Sequence, residues 1–185
     1  WGPNNGAEES VVRHGPAGMM VLPDDQPRLD PTTNRAKPAG MQSSDFTRPG
    51  SSPRSPRETL GGYVIAARTL DKCRAAIAGT LGEYKFDCPL DNFFFDFTGL
   101  TAEAFREFVS TGAEDEAVAT WIEEHASRSE RHEIIQWNND MRGKRICELP
   151  IELQEFLEGY IPQFIPGNRP VYVWFDVYDL EEGRS

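Results

Sequence analysis

The chain has 185 residues, with 19 basic and 30 acidic side chains and a formal net charge of −11. An acidic surface repels phosphate backbones and anionic lipid headgroups, so nucleic acid and membrane surfaces are poor candidate partners. No apolar run is long enough to span a bilayer or to act as a secretory signal, and the composition favours a soluble, cytoplasmic protein with one ordinary domain.

The N-terminal part, residues 1–52, is predicted to be a disordered tail. It is rich in proline and glycine and has no apolar run with a helical or strand period, so it cannot bury enough surface to offset its ordering entropy. The dense Pro/Ser stretch from Arg48 to Pro56 is predicted to be a linker into the domain, with a docking motif for a proline-binding module as the alternative. Residues 53–185 are left to form a mainly α-helical domain of five or six helices.

The first helix is predicted to begin near Pro56, with Ser55 as its N-cap, and to end at Gly79. The adjacent glycines Gly61 and Gly62 are unfavourable inside a helix, and they suggest either a later start or a close backbone contact. The next segment, 81–89, is a turn and an extended piece that could pair as a short β-hairpin near Tyr84.

A very aromatic segment follows at 92–97, with Asp91 as its cap and Gly99 at its end. Four of its residues are phenylalanines, which must be largely buried, so this segment is the predicted centre of the core.

Three further helices are predicted from caps and apolar periodicity. Their predicted caps are Thr101, Asp115 and Ser129, for helices over 102–110, 116–125 and 130–142. A loop at 143–150 precedes another helix that Pro150 or Ile151 opens. The segment 171–180 has both strand and helix features, and its spacing of apolar residues favours a helix.

The polar residues that attract most interest lie on the first helix. Arg68, Asp71 and Arg74 follow one another at intervals of three, so Asp71 could sit between two guanidinium groups, and Lys72 is one turn after Arg68. Arginine forks suit carboxylate or phosphate, so the cluster could bind an anion. The alternative is a salt-bridge network on a solvated face or between helices.

Recognisable catalytic and metal-binding motifs are absent from the sequence. Its three cysteines have no CxxC spacing, and its histidines lie in no HExxH or Glu-x-x-His pattern, so we expect no metal and no cofactor. Asp91 and Asp96 are expected to point in different directions, and Cys88 is expected to be a buried structural thiol. Whether the protein is an enzyme stays open.

Five segments carry a resemblance to a known family. They are Pro53-Arg-Ser-Pro56, Leu60-Gly-Gly62, Ala67-Arg-Thr-Leu-Asp-Lys-Cys-Arg74, Ala78-Gly-Thr-Leu-Gly-Glu-Tyr84 and Trp174-Phe-Asp with Asp179-Leu-Glu-Glu-Gly-Arg184. They are similar to the bacterial family of unknown function DUF5069, from about residue 53 to residue 184. The resemblance implies no activity, but its polar signature falls on Arg68, Asp71, Lys72, Arg74 and Tyr84. Cys73 departs from the small residues usual there, which argues against a thiol mechanism.

Two functions follow from these observations. The first is a non-catalytic interaction or assembly domain that engages a protein partner through the tail or an apolar groove. The second is a small-molecule or anion-binding protein, or an enzyme, that uses Arg68, Asp71, Lys72, Arg74 and Tyr84. The sequence does not indicate an oligomeric state.

Overall fold

The structure, a computed structural model, describes residues 44–184. This part of the chain holds seven α-helices and no β-strand, which confirms the predicted mainly helical fold. The helices are α1 (Ala66–Ala78), α2 (Pro89–Thr98), α3 (Ala102–Val109), α4 (Asp115–His125), α5 (Arg131–Arg142), α6 (Ile151–Phe164) and α7 (Trp174–Glu181), with a 3-10 turn at Ile146–Glu148 between α5 and α6. Residues 1–43 of the predicted tail lie outside the described residues.

The central helix is α1. Its first ten residues, Ala66 to Ala75, are all buried, whichever side of the helix they occupy. A helix that is buried all round lies in the middle of a domain rather than on its surface. The charged side chains of α1 must therefore find partners inside the protein.

The start of α1 differs from the prediction. The helix begins at Ala66 and not near Pro56, because the chain first makes a turn in which the backbones of Leu60 and Tyr63 bond to each other in both directions. Gly61 and Gly62 have positive φ angles of 58° and 87° in that turn, which a helix cannot contain. A Cβ on Gly61 would lie 3.3 Å from the carbonyl oxygen of Ala119. Both expectations for the glycine pair, the late start and the close contact, are therefore met.

The later helices agree more closely with the prediction in their bounds, but Asp115 and Ser129 are not the N-caps that were predicted, because α4 begins at Asp115 itself and α5 begins at Arg131 after Glu130. The Thr101 hydroxyl accepts a hydrogen bond from the Ala104 amide at 3.1 Å and caps α3 as expected. The segment 171–180 contributes most of α7. The option of a β-hairpin near Tyr84 was wrong: the chain turns there and enters α2 at Pro89, and the predicted total of five or six helices was too low.

The aromatic segment on α2 contributes to the core as predicted. Phe94 and Phe95 are buried, and Phe93 and Phe97 are half-buried against the same core. Phe105 from α3 packs against both buried rings, with centroids 6.2 and 5.7 Å away.

The segment before the family-like region also packs on the domain. Phe46 is 9% exposed, its ring lies 5.3 Å from that of Tyr84, and its amide donates to the Thr80 carbonyl at 2.8 Å. The packed part of the chain therefore includes residues 44–52, which the sequence analysis assigned to the tail.

Candidate functional site

The side chain of Arg68 points from α1 toward the C-terminal end of the domain. Its guanidinium makes a two-pronged contact with the Glu182 carboxylate, at 2.5 Å from Nη2 and 3.0 Å from Nη1, and Nη1 also donates to the Arg54 carbonyl. The rings of Tyr84 and Tyr178 lie 5.6 and 5.0 Å from its central carbon. Burial alone would lower the pKa of Arg68, but the Glu182 carboxylate raises it above its usual value, so the group stays charged.

Asp71 and Arg74 face a different neighbour. Asp71 accepts both the Nε and Nη2 hydrogens of Arg54, at 2.9 and 2.7 Å, and also the Arg54 amide. Arg74 donates to Asp115 Oδ1 at 2.6 Å, and Arg54 donates to Oδ2 of the same carboxylate at 2.7 Å. The carboxylate of Asp71 thus pairs with Arg54, and the expectation that it sits between Arg68 and Arg74 was wrong. Arg54 and Asp115 link the two α1 residues into one chain of four charges.

Lys72 points to a third region, the start of α2. Its Nζ lies 2.8 Å from Asp91 Oδ1 and 3.1 Å from Cys88 Sγ, and both side chains of the Lys72–Asp91 pair are 0% exposed. Asp91 Oδ1 also accepts the Thr69 hydroxyl, while Oδ2 accepts the amides of Asp87 and Cys88. Asp91 is therefore not the N-cap that was predicted: α2 begins at Pro89 with Cys88 as its N-cap, and Asp91 lies in the first turn, where its carboxylate accepts from the backbone before the helix and is also the partner of a buried lysine. Asp96 is exposed on the other side of α2, so the two carboxylates diverge as expected.

Tyr84 joins the Arg68 region. It is 7% exposed and packs between Phe46 and Arg68. Burial raises the pKa of Tyr84 well above its usual value, and the Glu182 carboxylate acts in the same direction. The five predicted site residues thus form three groups around α1: Arg68 with Tyr84, Asp71 with Arg74, and Lys72.

The charged side chains of these groups are buried and have acidic or basic partners within the domain, which limits their ability to bind an anion. The side chains of Arg68 and Arg74 are only 1% and 2% exposed. Anion binding at this cluster would need a guanidinium that faces a cavity and lacks an acidic partner. The geometry instead favours a role for the cluster in joining α1 to the segments around it, which was the alternative of a network between helices. It does not support the alternative of a solvated face.

Most of the partners in this network were not predicted from the sequence. Arg54 was assigned to a linker, and neither Glu182 nor Asp115 was considered as a charge partner. The available signal was the family resemblance itself, since Arg54, Glu182 and Arg184 all lie in segments that carry it. Arg184 contacts the Glu182 carboxylate, the Ser52 hydroxyl and the Pro53 carbonyl, so it fastens the two ends of the domain together.

A groove lies on a different part of the domain, between the 3-10 turn Ile146–Glu148 and α6. It has a volume of about 510 Å³ and a mainly apolar lining: Ile146, Cys147, Ile151, Leu157, Ile161 and Pro162, with Gln154, Glu155 and Glu158 at its polar positions. Ile151 is 60% exposed, which is high for a large apolar side chain. The first part of this region lies in the segment 143–150, which was predicted to be a loop.

A second cavity, of about 610 Å³, lies beside the Gly61–Gly62 turn. Its walls come from α4 and α5 and combine apolar residues with polar ones. Asn138 at this wall is buried and bonds to the Val64 amide and the Gly62 carbonyl, so it holds the turn in place.

The side chains and helices of residues 44–184 also bear on metal and membrane binding. No cluster of three or more histidine, cysteine, aspartate or glutamate side chains in this range could hold a metal ion. None of the helices in the same range is long and apolar enough to cross a membrane.

Comparison with protein families identifies the chain. The model of a family described as a domain of unknown function, DUF5069, matches residues 50–184. The chain belongs to this family. The DUF5069 match includes Arg54, all three groups around α1, and Arg184, so the whole charge network lies inside the family domain. Among curated proteins, no sequence matches the chain.

Proposed function

We propose that this DUF5069 protein is a non-catalytic interaction domain, and that it binds an apolar segment of a partner protein in the groove between the 3-10 turn and α6. The observation that carries the proposal is the apolar lining of this groove together with the exposed Ile151. Exposed apolar surface of this kind is costly in water and is typical of protein-binding sites.

The charges around the groove favour a basic partner. Glu155 and Glu158 line it directly, and the chain carries a net charge of −11. A segment with apolar side chains at its centre and lysine or arginine at its edges would complement this surface, as an amphipathic helix does when it lies in a groove.

The paired state of the α1 cluster supports a non-catalytic role. Arg68, Asp71, Lys72, Arg74 and Tyr84 are each engaged within the domain, which leaves them with a structural part in this proposal. A cytoplasmic location also belongs to the proposal, supported by the three cysteines, which are all free thiols.

The proposal can be tested with the full chain, tagged at its C-terminus and purified gently from its own host, by native mass spectrometry. We expect a protein partner at defined stoichiometry, lost in Ile151→Asp and weakened by increasing salt. Ile135→Asp is the matched control, because Ile135 is also exposed (49%) but lies on α5 and does not line the groove.

Other results of this experiment would contradict binding in the groove. A partner that survives Ile151→Asp but is lost on deletion of residues 1–43 would move the interaction to the N-terminal segment and overturn the groove proposal. A homodimer or a bare monomer would also contradict it. Site-specific photocrosslinking from position 154 should capture the same partner, since Gln154 lines the groove.

A further inference from the structure

Lys72 and Cys88 bring a primary amine and a thiol together inside the domain. Nζ lies 3.1 Å from Sγ; Lys72 is 0% exposed and Cys88 2%. Buried lysines usually meet carboxylates, and Asp91 serves that purpose here at 2.8 Å. The sulfur is a second neighbour of the same nitrogen, at a distance that a modest change in the flexible lysine stem can close to a covalent bond.

We propose that Lys72 and Cys88 form an oxidation-dependent covalent cross-link that joins α1 to the start of α2. The oxidant is a hydroperoxide, represented in the test by hydrogen peroxide. The link is a sulfenamide, a bond between Sγ and Nζ, of the kind that a sulfenic acid forms when it condenses with a nitrogen.

The chemistry takes place in two steps. First, the Cys88 sulfur attacks one peroxide oxygen and the O–O bond breaks, which gives a sulfenic acid and one water; the sulfur loses two electrons and the peroxide gains them. Second, the lysine ammonium passes one proton to the Asp91 carboxylate, and its lone pair attacks the sulfur. The S–O bond breaks, and the hydroxyl leaves as a second water with the remaining displaced proton.

The position of Cys88 gives the oxidant a route to a buried sulfur. Cys88 is the residue before α2, at the end of the loop that follows α1, and not inside a helix. Asp87 beside it has a φ of 62°, a conformation that non-glycine residues rarely adopt. Local opening of a loop costs less than global unfolding and would expose the thiol. Burial raises the pKa of the Cys88 thiol, so we expect oxidation to need sustained exposure to peroxide.

The test uses the full chain with Cys73→Ala and Cys147→Ser, which leaves Cys88 as the only thiol. After peroxide treatment and digestion with trypsin, we expect the peptides that contain Lys72 and Cys88 to be joined, with a mass about 2 Da below their sum. Trypsin should no longer cut after Lys72, and a thiol reductant should restore both peptides. A joined pair that is one oxygen heavier than the expected sulfenamide would also support the site. It would link the same two side chains after oxidation by a second equivalent of peroxide.

The matched control is Lys72→Arg in the same background, which keeps a cation beside Asp91 but removes the amine. There, we expect Cys88 to gain oxygen without any joined peptide. If this variant does not fold, the peptide map of the single-thiol protein decides alone. The proposal is overturned if Cys88 stays reduced, or if it gains oxygen while trypsin still cuts after Lys72.

Discussion

Arg68 and Glu182 form a two-pronged ion pair between the central helix and the residue that follows α7. The two side chains are 1% and 3% exposed, and the shorter of their two contacts is 2.5 Å. Removing one member of such a pair leaves the other charge buried without compensation, which costs far more than the pair contributes as a whole.

We therefore expect Glu182→Gln to lower the free energy of unfolding by about 3 to 5 kcal/mol, measured by urea denaturation. In the double variant Arg68→Met/Glu182→Gln, the loss should be smaller than the sum of the two single losses, because the residues interact directly. The control is Glu148→Gln, which removes the exposed pair with Arg145 and should leave stability nearly unchanged. A change as small in Glu182→Gln as in this control would contradict the structure.

Arg54 provides a prediction about geometry rather than charge. Its guanidinium reaches two carboxylates, Asp71 and Asp115, through three different nitrogens. Lysine keeps the charge but has no fork, so we expect Arg54→Lys to destabilise the domain by about 1 to 2 kcal/mol. Arg48→Lys, at an exposed arginine, is the matched control. Equal stability of the two variants would mean that charge alone matters at position 54.

Gly82 controls how the segment 44–52 packs. It has a φ of 63°, and a Cβ there would overlap the carbonyl of Phe46, with 2.9 Å to its carbon atom. We expect Gly82→Ala to cost on the order of 2 kcal/mol and to release this segment, which would speed chymotrypsin cleavage after Phe46, whose ring is buried in the packed segment. Gly159→Ala is the control, because Gly159 lies in α6 with open space around it; there the domain should gain roughly 0.5–1 kcal/mol. Unchanged chymotrypsin cleavage after Phe46 in Gly82→Ala would rule out this packing.

Glu181 predicts a pH dependence of stability. Burial raises the pKa of Glu181 from an ordinary 4.5 to about 7; the hydrogen bond from Tyr160 opposes this shift, and the Glu182 carboxylate reinforces it. The folded protein therefore binds a proton that the unfolded chain has released, and this contribution to stability is lost as the pH rises from about 4.5 through 7.

Glu181→Gln mimics the protonated form. We expect it to match the wild type near pH 4.5 and to be more stable by on the order of 1 kcal/mol above pH 7, measured by denaturation across this range. Glu158→Gln, on the exposed side of α6, is the matched control for the loss of one carboxylate. A constant difference between Glu181→Gln and the wild type at all pH values would contradict the assignment.

Local signals in the sequence predicted most helices but not the charge network. Thr101 caps α3 through a bond to a residue three positions away, so a short motif is enough to place it. The start of α1 was misplaced because the serine and proline at 55–56 resemble a helix start. The turn at Gly61–Gly62 instead lies close to the Ala119 backbone and is bonded by Asn138, and both residues are far away in sequence.

The same difference between local and distant contacts explains why the site residues were predicted but their partners were not. The positions Arg68, Asp71, Lys72 and Arg74 were identified from spacing on one helix, which describes neighbours within a helix only. Their partners come from the folded chain: Glu182 lies 114 positions after Arg68, and Asp115 lies 41 after Arg74. Full burial of α1 on every side depends on these contacts, and periodicity cannot indicate it.

The contact of Arg184 with Ser52 and Pro53 places the two ends of the family domain side by side. A domain whose ends meet can be inserted into a loop of another protein without stretching its host, and its own chain can be cut elsewhere and rejoined across this point. We expect a circular permutant with a short Gly/Ser linker from residue 184 to residue 44 and new ends at the 127–130 connection between α4 and α5 to fold. In such a molecule, the charge network around α1 would still connect the same segments, although their order along the chain has changed.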